Sequence, residues 1–144
     1  MRLSRRARYA LRMMVALFRM GGEERRVSLQ KIAGRASLPY RYLEQLSSSL
    51  RAAGLLDGLT GKNGGYKLSR RAKDITVGDI VEAVIGPIRI VECLGNDETC
   101  QRTDTCECRR LYMEINRGIS EVLARYSLED LSNGLSSQKK LPAI

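Results

Sequence analysis

The sequence has no histidine and no tryptophan, and only one phenylalanine among its 144 residues. Without histidine the chain has no imidazole general base, no Cys–His pair and no histidine ligand for zinc. The scarcity of large rings leaves Leu, Ile, Val, Ala and Met to form a core, which suits a helical protein. No apolar run approaches the roughly 20 residues that cross a bilayer, which argues against an integral membrane protein.

Motifs of common enzymes are also missing. In the glycine-rich segment 60–65, Lys62 is followed by Asn63 rather than by the Ser or Thr that a P-loop needs for magnesium. No G-x-G-x-x-G motif follows a predicted strand, and no nucleophile is paired with a general base. We therefore expect a protein that is not an enzyme.

Acidic residues are scarce in the first half of the chain. Residues 1–75 hold 17 Lys and Arg against 5 Asp and Glu, whereas residues 76–144 hold 8 against 11. The net charge of +9 thus joins a strongly basic half to a slightly acidic one. This asymmetry is typical of a part that binds a polyanion linked to a part with another role. No secretory h-region is present, and we expect a cytoplasmic protein.

Apolar residues recur at helical spacing in the basic half. The first helix is predicted from Leu3 to Phe18. Ser28 is a suitable N-cap for a short second helix. Pro39 suits the first turn of a third helix, and Gly54 follows its end. The pattern therefore predicts two short helices joined by a tight turn.

The period changes after the third helix. Segments 55–59 and 66–68 flank the glycine-rich tip and predict a β-hairpin. Two short helices followed by such a hairpin make a winged helix-turn-helix, which we assign to residues 1–75 as a DNA-binding domain. The predicted fold is mainly α with a small β-hairpin.

The remaining chain divides into three predicted segments. Residues 76–108 contain a connecting helix, opened by a capping box at Thr76, and a cysteine-rich loop. Residues 109–131 contain a long helix with a narrow apolar seam and a short final helix capped by Ser127. Residues 132–144 are predicted to be a flexible tail.

The third helix carries a small, polar outer face. Its Arg and Gln side chains suit paired hydrogen bonds to base edges in a major groove. Lys62 and Asn63 at the hairpin tip are placed to approach phosphate or the minor groove. An ordinary amphipathic helix would show the same spacing, and an RNA-binding module the same charge. The chain lacks the interleaved aromatic residues that stack single-stranded bases.

All four cysteines lie within 16 residues, a density that favours metal or redox chemistry over structural disulfides in a cytosolic protein. Zinc is the weaker candidate because structural zinc sites commonly use C-x2-C pairs. An iron–sulfur cluster, [2Fe-2S] or [4Fe-4S], tolerates ligands strung along a loop. The candidate ligands are Cys93, Cys100, Cys106 and Cys108.

Several motifs follow one another in a specific order: MRLS at 1–4, RYA at 8–10, YLEQL at 42–46, LRAAGL at 50–55, GGY at 64–66 and VGDI at 77–80. In this combination the chain resembles the Rrf2 family of bacterial transcription regulators, which includes iron–sulfur repressors of the IscR, NsrR and RirA type. The resemblance covers about residues 1–126. It implies a homodimeric winged-helix repressor of double-stranded DNA with a long C-terminal dimerisation helix.

The resemblance also implies roles for particular residues. It places Arg2 near a phosphate and a set of third-helix residues at groove-contacting positions: Arg41, Tyr42, Glu44 and Gln45. The wing arginine that often precedes the family's glycine loop is Thr60 here, so Lys62 is the candidate to replace it. The first three cysteines resemble the family's cluster-binding triad, with one additional residue in the first gap.

The fourth ligand is not fixed by the sequence. Arg109 and Arg8 occupy the positions at which family members supply that ligand, and arginine does not ligate iron. Cys108 is the preferred candidate, but residues i and i+2 of a helix point about 200° apart. Cys108 therefore joins Cys106 only if the helix begins near Arg109. Otherwise Glu107 or a group from elsewhere completes the site.

The sequence thus predicts a repressor whose DNA affinity is controlled by an iron–sulfur cluster that senses iron, redox state or nitric oxide. Two alternatives remain. One is a cluster-free thiol-redox regulator of the same fold. The other is an iron–sulfur carrier or scaffold, which would need the cysteines but not the wing.

Overall fold

The computed structural model describes residues 2–95, 100–102 and 104–135. Part of the predicted cysteine loop (96–99 and 103) and most of the predicted tail (136–144) lie outside the described residues. The described elements are α1 (Arg5–Arg19), α2 (Leu29–Ala36), α3 (Tyr40–Ala52), β1 (Leu56–Leu59), β2 (Gly65–Leu68), α4 (Val77–Ile85), α5 (Arg109–Arg125) and α6 (Leu128–Ser132). This architecture confirms the predicted fold class. No described helix is both long and apolar enough to span a membrane.

Side-chain caps decide where several helices begin. Ser28 accepts a hydrogen bond from the backbone N–H of Lys31, as predicted for the start of α2. Ser127 opens α6 with a capping box, as predicted. The first helix begins at Arg5 rather than at Leu3, because Ser4 accepts from a backbone N–H of the first turn and so ends the extended chain there.

The capping box of α4 gives a direct test of local stability. Thr76 Oγ1 accepts from the Asp79 N–H at 3.0 Å, and Asp79 Oδ2 accepts from the Thr76 N–H at 2.9 Å. We expect Thr76→Ala to lower the free energy of unfolding by about 1 kcal/mol, measured by urea denaturation. Ser69→Ala removes an exposed hydroxyl outside any cap and is the matched control. Equal stability of the two variants would contradict a stabilising role for the cap.

Helix α1 lies at the centre of the fold and contacts α2, α3, α4, α6 and β2. Its buried face joins the apolar faces of α2 and α3 in one core. Aliphatic side chains and methionine fill this core, as the scarcity of aromatic residues predicts. Its largest buried members include Met13, Met14, Leu17, Ile32, Leu43, Leu46 and Leu50.

The hairpin is anchored to the segment that precedes α2. Strands β1 and β2 pair antiparallel, with Leu56 opposite Leu68. Val27 and Tyr66 exchange two backbone hydrogen bonds of 2.8 Å. Gly65 has a φ of +127°, and an added Cβ would lie 2.5 Å from the carbonyl oxygen of Val27. Only glycine allows this close approach, so it fixes the wing against the body.

Arg6 joins three helices. Its Nε donates to the carbonyl oxygen of Val84 at 2.6 Å, and one terminal nitrogen donates to Ser49 Oγ at 2.7 Å. Val84 lies in the last turn of α4 and Ser49 lies on α3. A single guanidinium therefore ties α3 to the end of α4, from which the chain continues towards the cysteines.

Helix α5 leaves apolar side chains exposed. Leu111, Met113 and Ile115 are 59%, 54% and 38% exposed, and no residue of this helix is buried. Its C-terminal part contacts the body, since Leu123 packs against the buried cluster of α1 and α4. Leu111 and Ile115, four residues apart, lie on one face of α5, whereas Met113 lies on the opposite side. Large apolar side chains exposed on one face mark an interaction site.

Candidate DNA interface and cysteine site

The exposed face of α3 carries most of the predicted groove-contacting residues. Arg41, Glu44 and Gln45 are exposed, whereas Leu43 and Leu46 on the other face are fully buried. Helices of this kind enter the major groove, where Arg and Gln pair with purines and Glu accepts from cytosine. The surface of α3 therefore has the composition that base recognition requires.

Tyr42 differs from its neighbours in α3. Its side chain is half-buried, and its ring packs edge-on against Tyr9 of α1, with the ring centroids 5.3 Å apart. The guanidinium of Arg12 lies 5.8 Å from the centroid of Tyr9. Part of Tyr42 thus holds α3 against α1. The spacing of residues in α3 predicted Tyr42 on the polar face, because its packing partner Tyr9 is distant in the chain.

The wing is coupled to α3 by residues that the sequence did not single out. Ser47 is buried in α3 and donates to the carbonyl oxygen of Glu44 at 2.8 Å. Its hydroxyl also lies 3.2 Å from the Tyr66 hydroxyl on β2, within hydrogen-bond distance. The sequence feature that could have indicated this contact is a serine on the apolar face of the predicted third helix. This contact sets the distance between α3 and the hairpin.

The hairpin tip faces the start of α2 and α3 across a groove. Thr60, Lys62 and Asn63 are all exposed in the tip. The groove has a volume of about 350 Å³, and Thr60, Lys62 and Glu44 are among the residues that line it. A basic tip beside a polar helix suits a phosphate backbone that passes between them.

Arg2 is exposed but does not line that groove. It lies at the rim of another groove, of about 500 Å³, formed by the start of α1, α4, residues 87–90 and α5. Arg89 shares this rim. The two grooves share no lining residue, so Arg2 lies outside the groove between α3 and the hairpin tip.

The described cysteines lie at the start of α5 and in the segment before it. Cys93 belongs to a 3-10 turn, and Cys93, Cys100 and Cys106 are half-buried. Cys108 is exposed and immediately precedes α5, which begins at Arg109. The helix therefore begins after Cys108, which meets the condition for Cys106 and Cys108 to share a site. None of the four cysteines forms a disulfide bond.

Tyr112, which sequence reasoning missed, lies beside the Cys108 sulfur. The charge of the Cys108 thiolate and a hydrogen bond to that sulfur raise the pKa of the Tyr112 hydroxyl above its ordinary value. Cys106 and Cys93 raise this pKa further. The i, i+4 spacing of Cys108 and Tyr112 was the available signal. Arg109 also donates to the carbonyl oxygen of Cys93 at 3.1 Å and ties the loop to α5.

The donor set fits an iron–sulfur cluster in its chemistry, because four thiols of one short segment are the ligands such clusters use. Within residues 2–95, 100–102 and 104–135, however, no three His, Cys, Asp or Glu side chains are grouped to hold a metal ion. Arg102, Arg109 and Arg110 place positive charge in the same segment.

The polar recognition helix, the glycine-tipped wing and the basic charge define a winged-helix DNA-binding protein. The sequence model of the Rrf2 family, described as an iron-dependent transcriptional regulator, matches residues 3–134. The chain belongs to the Rrf2 family of transcriptional regulators.

Named relatives match nearly the whole chain. Protein rrf2 of Nitratidesulfovibrio vulgaris is 36% identical over 136 residues, which cover 94% of this chain and 90% of the relative. The regulator CymR of Bacillus subtilis is 39% identical over 133 residues, covering 92% and 91%. The regulator IscR of Pectobacterium atrosepticum is 35% identical over 133 residues, covering 92% and 80%.

Solved structures confirm the fold. The structure of CymR, described as the global cysteine regulator of B. subtilis, aligns with a TM-score of 0.76 at 36% identity. That alignment covers 93% of this chain and 98% of CymR. IscR of T. potens aligns with a TM-score of 0.73 at 30% identity, covering 99% and 94%.

Proposed function

We propose that this protein is a homodimeric repressor that binds a double-stranded DNA operator through α3 and the wing. The observation that carries the proposal is the exposed polar face of α3 beside a basic, glycine-rich wing tip. Arg41, Glu44 and Gln45 would read base edges, and Lys62 and Asn63 would contact the backbone. The arginines of α1 would add attraction to phosphate that does not depend on sequence.

The exposed apolar surface of α5 supports the dimer. A second copy would bury Leu111 and Ile115, which lie on one face of α5 and whose exposure in the single chain is unfavourable. Two copies related by a two-fold axis would present two α3 helices to a palindromic site. The dimer would thus bind DNA through two α3 helices, which is more selective than binding through one.

We propose further that Cys93, Cys100, Cys106 and Cys108 hold an iron–sulfur cluster. When bound, the cluster would supply chemistry that responds to iron, redox state or nitric oxide. The Tyr112 hydroxyl would donate to the Cys108 sulfur, and the positive N-terminal end of the α5 dipole would offset the negative charge of a cluster. Glu107 is the alternative fourth ligand if Cys108 stays outside the site.

Arg6 provides a physical link between the two functions. The cysteine segment joins the end of α4 to the start of α5. Because Arg6 binds Val84 in α4 and Ser49 in α3, a change in the order of that segment can shift α3. DNA affinity would then depend on which arrangement the cysteine segment favours.

A cluster-free thiol-redox regulator is an equally open function. It is favoured by the similarity to CymR, whose solved structure is described as that of a global cysteine regulator. In that case oxidation of the thiols would replace cluster loading as the event that changes DNA affinity. An iron–sulfur carrier or scaffold is less favoured, because that function does not require the exposed polar face of α3.

A gel-shift experiment separates these functions. The full chain is purified without oxygen, analysed for iron and sulfide, and titrated against its own upstream DNA and a scrambled duplex. Iron and sulfide, together with an operator affinity that changes on cluster removal, support the cluster proposal. Colourless protein whose affinity changes between reduced and oxidised thiols supports the cluster-free regulator. Equal affinity for both duplexes contradicts operator recognition altogether.

A further inference from the structure

A shallow groove lies between α1, the C-terminal end of α2 and α6. Its volume is about 440 Å³, within the range of about 300–1,000 Å³ that is common for small-molecule sites. The floor is apolar and is formed in part by the half-buried side chains of Leu11, Val15 and Leu131. None of the four cysteines lines this groove. It is therefore separate from the cysteine site.

Three arginines line this groove, and no carboxylate does. Arg12 donates to the carbonyl oxygens of Ala36 and Ser37, and Arg19 donates to a carbonyl oxygen at the end of α6. In the part of the chain that the structure describes, neither these two nor Arg35 forms a salt bridge. Since a guanidinium has five N–H donors, Arg12 and Arg19 retain donors for an anion. The groove thus combines uncompensated positive charge with an apolar floor.

The same groove touches the turn that leads into α3. Ser37 adopts a φ of +53°, a left-handed conformation that is uncommon for a residue other than glycine. Arg12 contacts the carbonyl oxygens on both sides of the Ser37 N–H group. An anion bound to the remaining donors of Arg12 would shift its guanidinium and so alter these contacts with the turn. The groove is therefore placed to affect the position of α3.

We propose that this groove binds a small amphipathic anion, a carboxylate or phosphate attached to an apolar chain, and that binding changes DNA affinity through the turn at Ser37. The anionic group meets Arg12, Arg19 and Arg35, and the chain covers the apolar floor. The effect on DNA rests on the proposed function, whereas the binding itself does not.

Calorimetry on the full chain without DNA tests the binding. Octanoate and octyl phosphate are the probes, acetate and inorganic phosphate supply the head group alone, and octanamide is the neutral analogue. We expect saturable binding of at least one amphiphilic anion, at least tenfold tighter than that of the head groups or octanamide. Arg35→Gln should weaken it about tenfold, which corresponds to about 1.4 kcal/mol. Lys31→Gln is the matched control, because Lys31 is exposed on α2 and does not line the groove.

Several results would overturn the proposal. Absence of saturable binding of both octanoate and octyl phosphate would overturn it. Equal affinity of the Arg35→Gln and Lys31→Gln variants for the amphiphile would also overturn it. If Arg35→Gln weakens duplex binding but leaves octanoate binding unchanged, the arginines serve DNA phosphates instead. If an amphiphile binds saturably but the affinity for the duplex does not change, the proposed effect on DNA binding is wrong. Variants with alanine at the cysteines should bind octanoate normally, so a failure of the cysteine proposal is distinguishable.

Discussion

Gln45→Ala weakens binding to the operator by about 5- to 150-fold and leaves binding to a scrambled duplex unchanged. The expected loss corresponds to about 1–3 kcal/mol, the discrimination that one good paired contact to a base provides. Gln45 is exposed on α3 and lies opposite the buried Leu43 and Leu46 face, so its truncation leaves the core intact. Fluorescence anisotropy with both duplexes at one salt concentration measures the effect.

Lys62→Ala provides the contrasting control for this prediction. A phosphate contact carries no sequence information, so its loss should weaken binding to both duplexes by a similar factor. The slope of log affinity against log salt concentration should also fall by about one. If Gln45→Ala behaves in the same way as Lys62→Ala, α3 does not read bases.

Removal of the cysteine ligands should abolish control of DNA binding without abolishing DNA binding itself. We expect Cys93→Ala, Cys100→Ala or Cys106→Ala to eliminate the visible absorption of oxygen-free protein. The operator affinity should then no longer differ between cluster-loading and cluster-free conditions, a difference expected to be about 5- to 150-fold in the unmodified chain. Absorption spectra and anisotropy on the same samples measure both effects.

Further variants sharpen this prediction. Thr105 lies in the same segment and is not a candidate ligand, so the Thr105→Ala variant should behave as the unmodified protein. Loss of absorption in Cys108→Ala but not in Glu107→Gln assigns the fourth ligand to Cys108, and the reverse result assigns it to Glu107. Full iron content in all three single variants, Cys93→Ala, Cys100→Ala and Cys106→Ala, would contradict the proposed ligand set.

Local chemistry made much of the fold predictable from the sequence. Ser28, Thr76 and Ser127 cap helices through hydrogen bonds to residues three positions ahead, and such contacts are visible in the sequence. The left-handed Gly54 after α3 and the glycine-tipped hairpin follow from equally local rules. These elements depend little on distant parts of the chain.

The contacts that shape the candidate site are not local. Tyr42 is half-buried because it meets Tyr9, and Ser47 is satisfied because Tyr66 of the wing reaches it. Spacing within α3 cannot reveal either partner. The cysteine segment was recognisable by composition, but the position of Tyr112 beside the Cys108 sulfur depends on where α5 begins. The roles of the DNA-contacting residues and cysteines stay predictions.

Pairing through the exposed apolar side chains of α5, as proposed above, would make DNA binding depend on the concentration of the protein. Association that buries those side chains is a bimolecular equilibrium, so mass action determines how much of the protein is paired at a given copy number. At low protein concentration, single protomers would bind one half-site weakly. At high concentration, dimers would bind both half-sites together. Synthesis and turnover of the chain would thereby set the threshold at which a promoter falls silent.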